Sequence, residues 1–366
     1  MMNKTLWRAL VLMMICPFLF NACKKGHSTP AETVPIVPPD EEPIITDPAF
    51  KLAGFATQNG GTTGGQGGTA VTATSYDQLK SYLESSTKYV VKLEGRIFNG
   101  TKGGKINVNS NKTLLGVGTN AFLDGVGLNI SNKSNIIIQN VKITLISITD
   151  RSDPAVYSPT GDEGRPQILV NGGDAISINN TSSNIWIDHC EFYAEDPSVQ
   201  TNQDLYDGLI DVKNSSQFIT ISWNYFHDHH KTHLVGSSDS DDFDRKITFH
   251  HNYYKNIKSR LPLYRFGKSH VYNNYYYKIG SSGIDSRMGA CVKVENNVFE
   301  DVKSPIVSTG TVPGQYQADG NIYSGITGIS APTTSSCTFN PPYTYSPEPA
   351  STVKNTVTTK AGVGKI

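Results

Sequence analysis

Seven short segments of one pattern recur between residues 136 and 323, and they leave few folds open. They read IIIQNVKI (136–143), IWIDHCEF (185–192), ITISWNYF (219–226), ITFHHNYY (247–254), SHVYNNYY (269–276), VKVENNVF (292–299) and YQADGNIY (316–323). Their sixth positions are separated by 49, 34, 28, 22, 23 and 24 residues, so a near-constant period emerges as inserted loops shorten. Each segment alternates β-branched or aromatic residues with polar ones, and helical periodicity is confined to a short stretch at Ser75–Ser85. A strand-bearing repeat of this length predicts stacked coils. Asn occupies the sixth position at Asn224, Asn252, Asn274, Asn297 and Asn321. There it is expected to tolerate a left-handed bend and to bond its counterpart on the next coil. An aromatic follows two positions later in six of the seven, a column expected to stack inside coils about 4.8 Å apart. An antiparallel sandwich also repeats its strands, but the constant Asn register favours an all-β, right-handed parallel β-helix with a short N-terminal helix.

Outside the repeat the chain divides by composition. Lys4 and Arg8 precede an apolar run, Ala9–Phe20, which is too short to span a bilayer comfortably and reads as an export signal. The ending Phe20-Asn21-Ala22-Cys23 resembles a bacterial lipoprotein box, so residues 1–22 are expected to be removed and Cys23 to carry lipid. Six prolines and the acidic Asp40-Glu41-Glu42 make 23–49 an extended tether to a body at 50–366. The expected address is the outer membrane, the periplasm or the exterior, with the body a monomer. Processing would leave Cys190, Cys291 and Cys337, enough for one disulfide in an oxidising compartment. Cys291–Cys337 is one possible pairing, without support from spacing. The 32 basic residues balance the 32 acidic ones, which argues against a nucleic-acid partner.

Coil stacking turns sequence register into a map. Asp174 lies 16 residues before the sixth position of its coil and Asp207 lies 17 before its own, so the two carboxylates fall on successive coils at nearly one register. Hard oxygen donors in a partly open site suit Ca²⁺. Lys231 closes HDHHK, while Arg260 and Arg265 sit in SRLPLYR, where Pro262 stiffens the segment that presents two guanidiniums. Cations beside paired carboxylates point to an acidic ligand.

At these residues the chain resembles the pectate/pectin lyase family, polysaccharide lyase family one, over roughly 52–366. The likeness rests on GFATQNGGTTGGQGG (54–68), NIWIDH (184–189), DGLID (207–211), ISWNYFHDHHKT (221–232), GSSDSD (236–241), ITFHHNYYKNIKSRLPLYRFG (247–267) and VYNNYYY (271–277). The resemblance implies that Asp174 and Asp207 are calcium carboxylates, that Arg260 abstracts a proton, and that Lys231 and Arg265 bind the substrate carboxylate. The family usually adds an acidic residue four before its second Asp. In this alignment that place is Gln203, and the neighbouring Asp204 becomes the third candidate ligand. The implied reaction is β-elimination on α-1,4-linked polygalacturonate, giving 4,5-unsaturated products. An arginine is ordinarily protonated, so its service as a base requires surrounding positive charge; the alternative is that Arg260 only stabilises developing charge.

Other readings stay open at this stage. A hydrolase on the same fold would need an acid and a base flanking the bond, and Asp207 and Asp211 on an extended segment would lie roughly 13 Å apart. A pectin lyase acting on methylated substrate, or a noncatalytic pectin-binding surface lipoprotein, would keep most of these motifs. The histidines His227, His229, His230, His233, His250 and His251 could hold zinc but are expected to be structural. His189, Trp186 and Trp223 are expected to pack rather than to bind sugar.

Overall fold

In the computed structural model, which describes residues 51–329 and 337–366, all seven repeats enter one sheet. Ten parallel strands, from Thr69–Ala73 to Gln315–Asp319, run side by side, and the repeats supply the last seven. After each repeat strand the chain turns at the sixth position and enters a second sheet, pairing in parallel with the same turn of the neighbouring coils. This sheet bends into two faces. Early coils break at the bend, as between Tyr225–Lys231 and Leu234–Val235, whereas Tyr275–Arg287 and Val298–Val307 pass round it unbroken. The architecture is the expected parallel β-helix. The assigned signal (1–22) and tether (23–49) lie outside the described residues.

Inward positions build the core coil by coil. Ile138, Ile187, Ile221, Phe249, Val271 and Val294 form one register, all with essentially no exposed surface. Each such side chain contributes about 1.5–3 kcal/mol of burial. The aromatic column is present: Phe192, Phe226, Tyr254, Tyr276, Phe299 and Tyr323 stack with centroids 4.5–5.3 Å apart.

The Asn ladder differs from expectation in one respect. Asn252 Oδ1 accepts from both the backbone N and the Nδ2 of Asn224 at 3.1 Å, and the pattern repeats through Asn274, Asn297 and Asn321. The left-handed residue, however, is the one before: His189, Trp223, His251, Asn273 and Asn296 have φ between 49° and 54°. That conformation costs a bulky side chain about 1–2 kcal/mol. The paired amide bonds of the following Asn hold the bend in place.

Two segments cover the outer surface of the first sheet. Residues 54–64 lie across it, with Phe55 N donating to Thr248 Oγ1 (3.0 Å) and Ala56 N to Thr220 Oγ1 (3.2 Å). The C-terminal stretch is joined to the coils by a disulfide between Cys291 and Cys337, and Cys190 is free and buried. Helix α1 (Tyr76–Glu84), capped by Ser75, buries Leu79 and Leu83 against the first coils. Helix α2 (Ala350–Lys360) buries Val353 and Val357 against Tyr275 and Val298.

Candidate active site

A tight glycine turn on one coil and a close glycine approach on the next create the site. The chain Val170–Gly173 makes a single short turn, with Asn171, Gly172 and Gly173 at φ 54°, 68° and 83°, and delivers Asp174 beside the next coil. Asp207 N donates to Gly173 O at 3.0 Å, and Gly208 N donates to Asp174 Oδ1 at 3.0 Å. A Cβ at Gly208 would stand 2.2 Å from Asp211 Oδ1 and 3.1 Å from Asp174 Oδ1. Only glycine permits such crowding.

The result is that Asp174, Asp207 and Asp211 bring one carboxylate oxygen each within 4.8 Å of the others, the one such group of metal-ligating side chains among the described residues. This corrects the alignment made from sequence. The acidic spacing of four belongs to Asp207 and Asp211, so Gln203 leaves no gap, and Asp204 is not the third member. Its carboxylate is engaged by two cations, Arg165 and, at 3.0 Å, Lys231 Nζ. The 13 Å separation assumed for Asp207 and Asp211 also fails, because the chain bends at Leu209 and is extended only from Ile210 to Val212.

The charges are unevenly compensated. Lys213 Nζ lies 3.2 Å from Asp174 Oδ2 and 3.1 Å from Asp211 Oδ2, and Lys231 Nζ lies 2.7 Å from Asp207 Oδ1. Asp211 Oδ2, although near Lys213, accepts no well-aligned hydrogen bond. Burial, and then the charge of Asp211, push the Asp174 carboxyl well above the usual carboxylate range. Burial raises Asp211 too, with Lys213 opposing. Burial also works against ionised Asp207, but Lys231, with Lys213 and Arg260, holds it below the usual range. Like charges gathered out of water normally protonate or pair. A divalent cation answers this donor set: three convergent carboxylates, one oxygen unpartnered, on a partly open surface.

The cations complete the site. Arg260 occupies a left-handed bend (φ 64°) ahead of the cis Leu261–Pro262 bond, and its carbonyl accepts from His233 N at 2.9 Å. Its guanidinium is half-buried, has no hydrogen-bond or ion-pair partner among the described residues, and is near enough to Asp207 and Asp211 to act on their charge. Arg265 is held by Asp239 Oδ1 (2.8 Å) and Gly236 O (3.0 Å). The structure therefore brings Asp174, Asp207, Lys231 and Arg260 to one place, with Arg265 further along Arg260's own coil and Asp204 behind Lys231. Sequence reading missed Asp211 and Lys213 as members. The signal was there, as an Asp-x-x-x-Asp-x-Lys run from 207 to 213.

The histidines take structural places. Burial lowers His229 and His233 to about 3, so both are neutral; His233 Nδ1 meets Ile210 O at 3.1 Å. Trp186 and Trp223 are buried.

Comparison with known proteins extends what the geometry shows. Residues 44–366 match the family model described as pectate lyase. A pectate trisaccharide-lyase of Bacillus licheniformis is 45% identical over 324 residues, 87% of each chain. A crystal structure of a pectate lyase from Bacillus sp. N165 in complex with trigalacturonate superposes with a TM-score of 0.72 at 34% identity, covering 86% of this chain and 99% of that one. Pectate lyase II from Xanthomonas campestris superposes at 0.69 with 28% identity, over 86% and 99%.

Proposed function

From the premise that this chain belongs to the pectate lyase family, and is thus a polysaccharide lyase acting on polygalacturonate, we propose that it works by calcium-assisted β-elimination with Arg260 as the base. The observation that carries this is the convergence of Asp174, Asp207 and Asp211 beside an unpaired Arg260. Asp174, Asp207 and Asp211 would hold the ion. When bound, Ca²⁺ supplies positive charge that neutralises the substrate carboxylate and acidifies the C5 proton alpha to it.

The chain's own residues do the rest. Lys231 and Arg265 grip the galacturonate carboxylate; Arg265 enters already oriented by Asp239 and Gly236 O, so little side-chain freedom is lost on binding. Arg260, a base only in its neutral form under the surrounding positive charge, takes the C5 proton and becomes a guanidinium. The electron pair of the C5–H bond becomes the C4–C5 double bond, and the C4–O bond breaks with its electrons leaving on oxygen, which is then protonated. Water is not consumed. Lys213 and Lys231, fixed beside the reacting region, favour the charge that develops on the carboxylate side of the sugar. Hydrolysis fits poorly, because Asp174 and Asp211 are fully buried and cannot flank a glycosidic bond.

The test is ultraviolet absorbance of the unsaturated product on polygalacturonate and on methylated pectin, each with Ca²⁺ or chelator. Activity on polygalacturonate is expected to vanish in chelator and to return with added Ca²⁺. Full activity in excess chelator, or preference for methylated substrate, would reject the calcium-dependent assignment. Export through residues 1–22, lipid attachment at Cys23 and monomeric action complete the proposal. Metabolic labelling with a fatty acid, lost in Cys23→Ala, tests the anchor.

A further inference from the structure

We propose, resting on the role of Arg265 given above, that Arg245 is a positioning residue of this lyase: buried behind the loop 236–241, it fixes Arg265 for the substrate carboxylate and so sets substrate affinity without touching substrate.

Arg245 has no exposed surface, a costly place for a permanent charge unless that charge is paired and hydrogen-bonded. Its terminal nitrogens reach two segments. Nη2 pairs with Asp241 Oδ1, and Nη1 donates to the carbonyls of Asp241 (3.0 Å), Phe243 (3.4 Å) and Arg265 (3.4 Å). A planar fork serves several acceptors at once where an ammonium on a flexible stem does not. The backbone it springs from is equally fixed. Lys268 N donates to Arg245 O at 2.7 Å, and Tyr264 Oη lies 3.1 Å from the same carbonyl. A Cβ at Gly267 would stand 2.3 Å from Arg245 N.

Asp241 carries the constraint onward. Its Oδ2 accepts from Ser237 N and from Asn214 N, each at 2.8 Å. Burial opposes its ionised form, but those backbone bonds and the charge of Arg245 hold it below the usual carboxylate range. Asn214 follows strand Ile210–Val212, Ser237 follows Leu234–Val235, and the Arg265 carbonyl ends Leu263–Arg265. These three strands are neighbours, so one buried ion pair laces three coils together at the same end.

Arg265 is what the laced loop holds. Its Nε donates to Asp239 Oδ1 at 2.8 Å and its Nη1 to Gly236 O at 3.0 Å, both on the loop. Asp239 is exposed, and its other oxygen has only a long contact, 3.4 Å from Thr311 Oγ1, so its place depends on the frame around Asp241. A Cβ at Gly236 would stand 2.9 Å from Arg265 Cβ and 3.3 Å from Arg245 Nη1, which leaves the clamp no slack. Arg245 thus supports Arg265 by two routes, through the loop and through the Arg265 carbonyl. Arg260, whose carbonyl is bonded to His233 N, has no bond to this network among the described residues. Loss of Arg245 therefore weakens binding and spares proton abstraction, which is read as a change in KM with kcat kept.

The experiment is a kinetic double-mutant cycle on polygalacturonate with Ca²⁺, read by ultraviolet absorbance, with a melting curve for each variant. Arg265→Ala is expected to raise KM. Arg245→Lys, which keeps the charge and loses the fork, is expected to raise KM several-fold with kcat unchanged. In the Arg265→Ala background the same substitution is expected to leave KM where it was, because its effect passes through that side chain. Asp241→Asn, which keeps the shape of the loop, is expected to repeat this pattern more weakly, and it takes the place of Arg245→Lys should that variant not fold. A folded variant with wild-type KM, a fall in kcat with KM unmoved, or a rise in KM that persists undiminished without the Arg265 side chain would each overturn the proposal and leave the role of Arg265 standing. Wild-type KM in Arg265→Ala would instead overturn the underlying reading.

Discussion

Two buried clusters of ionisable side chains lie on different parts of the coil, and they are assembled by opposite rules. Beneath residues 337–349, on the first sheet, every carboxylate has a complementary partner. Glu295 Oε1 meets His270 Nε2 at 2.6 Å and its Oε2 meets Lys293 Nζ at 3.0 Å, Glu348 Oε1 lies 3.3 Å from His251 Nε2, and Asp188 meets both His189 and Ser222 Oγ at 2.6 Å. Burial alone would raise Glu295 and Glu348, yet hydrogen bonds led by those from His270 and His251 hold each down to about 2. At the active site, by contrast, Asp174 and Asp211 are raised and crowd a third carboxylate around Gly208. A cluster that satisfies itself is a fastening. A cluster in which three carboxylates share two lysines is a receptor, and its excess negative charge marks the place for a ligand.

Variants that break one cluster should spare the role of the other. The largest effect is expected from Arg260→Ala: loss of a positioned base should lower kcat by about 10³-fold, with the melting temperature almost unchanged because the guanidinium pairs with nothing described. Comparable loss of kcat and stability together would make Arg260 a structural residue. Next comes Gly208→Ala, which forces a methyl group against Asp211 Oδ1, and Asp211→Asn, which removes one donor. Both should weaken Ca²⁺ binding by at least about tenfold in calorimetry. Without metal, Asp211→Asn should melt no lower than wild type, since it relieves repulsion among like charges. A lower melting temperature would show that the acidic cluster is self-stabilising after all.

How far sequence carried this comparison depended on register. The coil, its Asn ladder and its aromatic column follow from spacing, since parallel stacking puts equal positions in contact. The cations Lys231, Arg260 and Arg265 came with motif likeness. The acidic cluster was read one member out of place because Asp207–Asp211 was treated as extended chain, whereas it bends at Leu209; an isolated bend carries no period to read. The left-handed residue was likewise placed one position late, at the Asn rather than before it. Nothing in local sequence announced that Glu348 and Glu295 would meet histidines from distant coils, because those pairs depend on where the C-terminal stretch is laid across the sheet.

The smallest effect belongs to that fastening, and its pH dependence separates it from the site. Glu348 Oε1 lies 3.3 Å from His251 Nε2 and its Oε2 accepts from the hydroxyls of Thr352 (2.6 Å) and Thr356 (2.9 Å), so it joins the first sheet to the start of α2. Its folded pKa lies below the ordinary glutamate value, so the stability it contributes is present above about pH 4.3 and is lost as pH falls toward about 2. His251 and His270 add to the same trend: burial lowers both, so each is neutral in the fold and resists protonation as pH drops below about 6.5. Glu348→Gln should therefore cost about 1 kcal/mol at pH 7, the partial exposure of the pair screening the rest, or about 2 °C in melting temperature. The difference from wild type should shrink to nothing near pH 2, with lyase activity per folded molecule unchanged. A difference that persists undiminished in acid would mean that Glu348 acts by packing rather than by charge, and the contrast between the two clusters would lose its electrostatic basis.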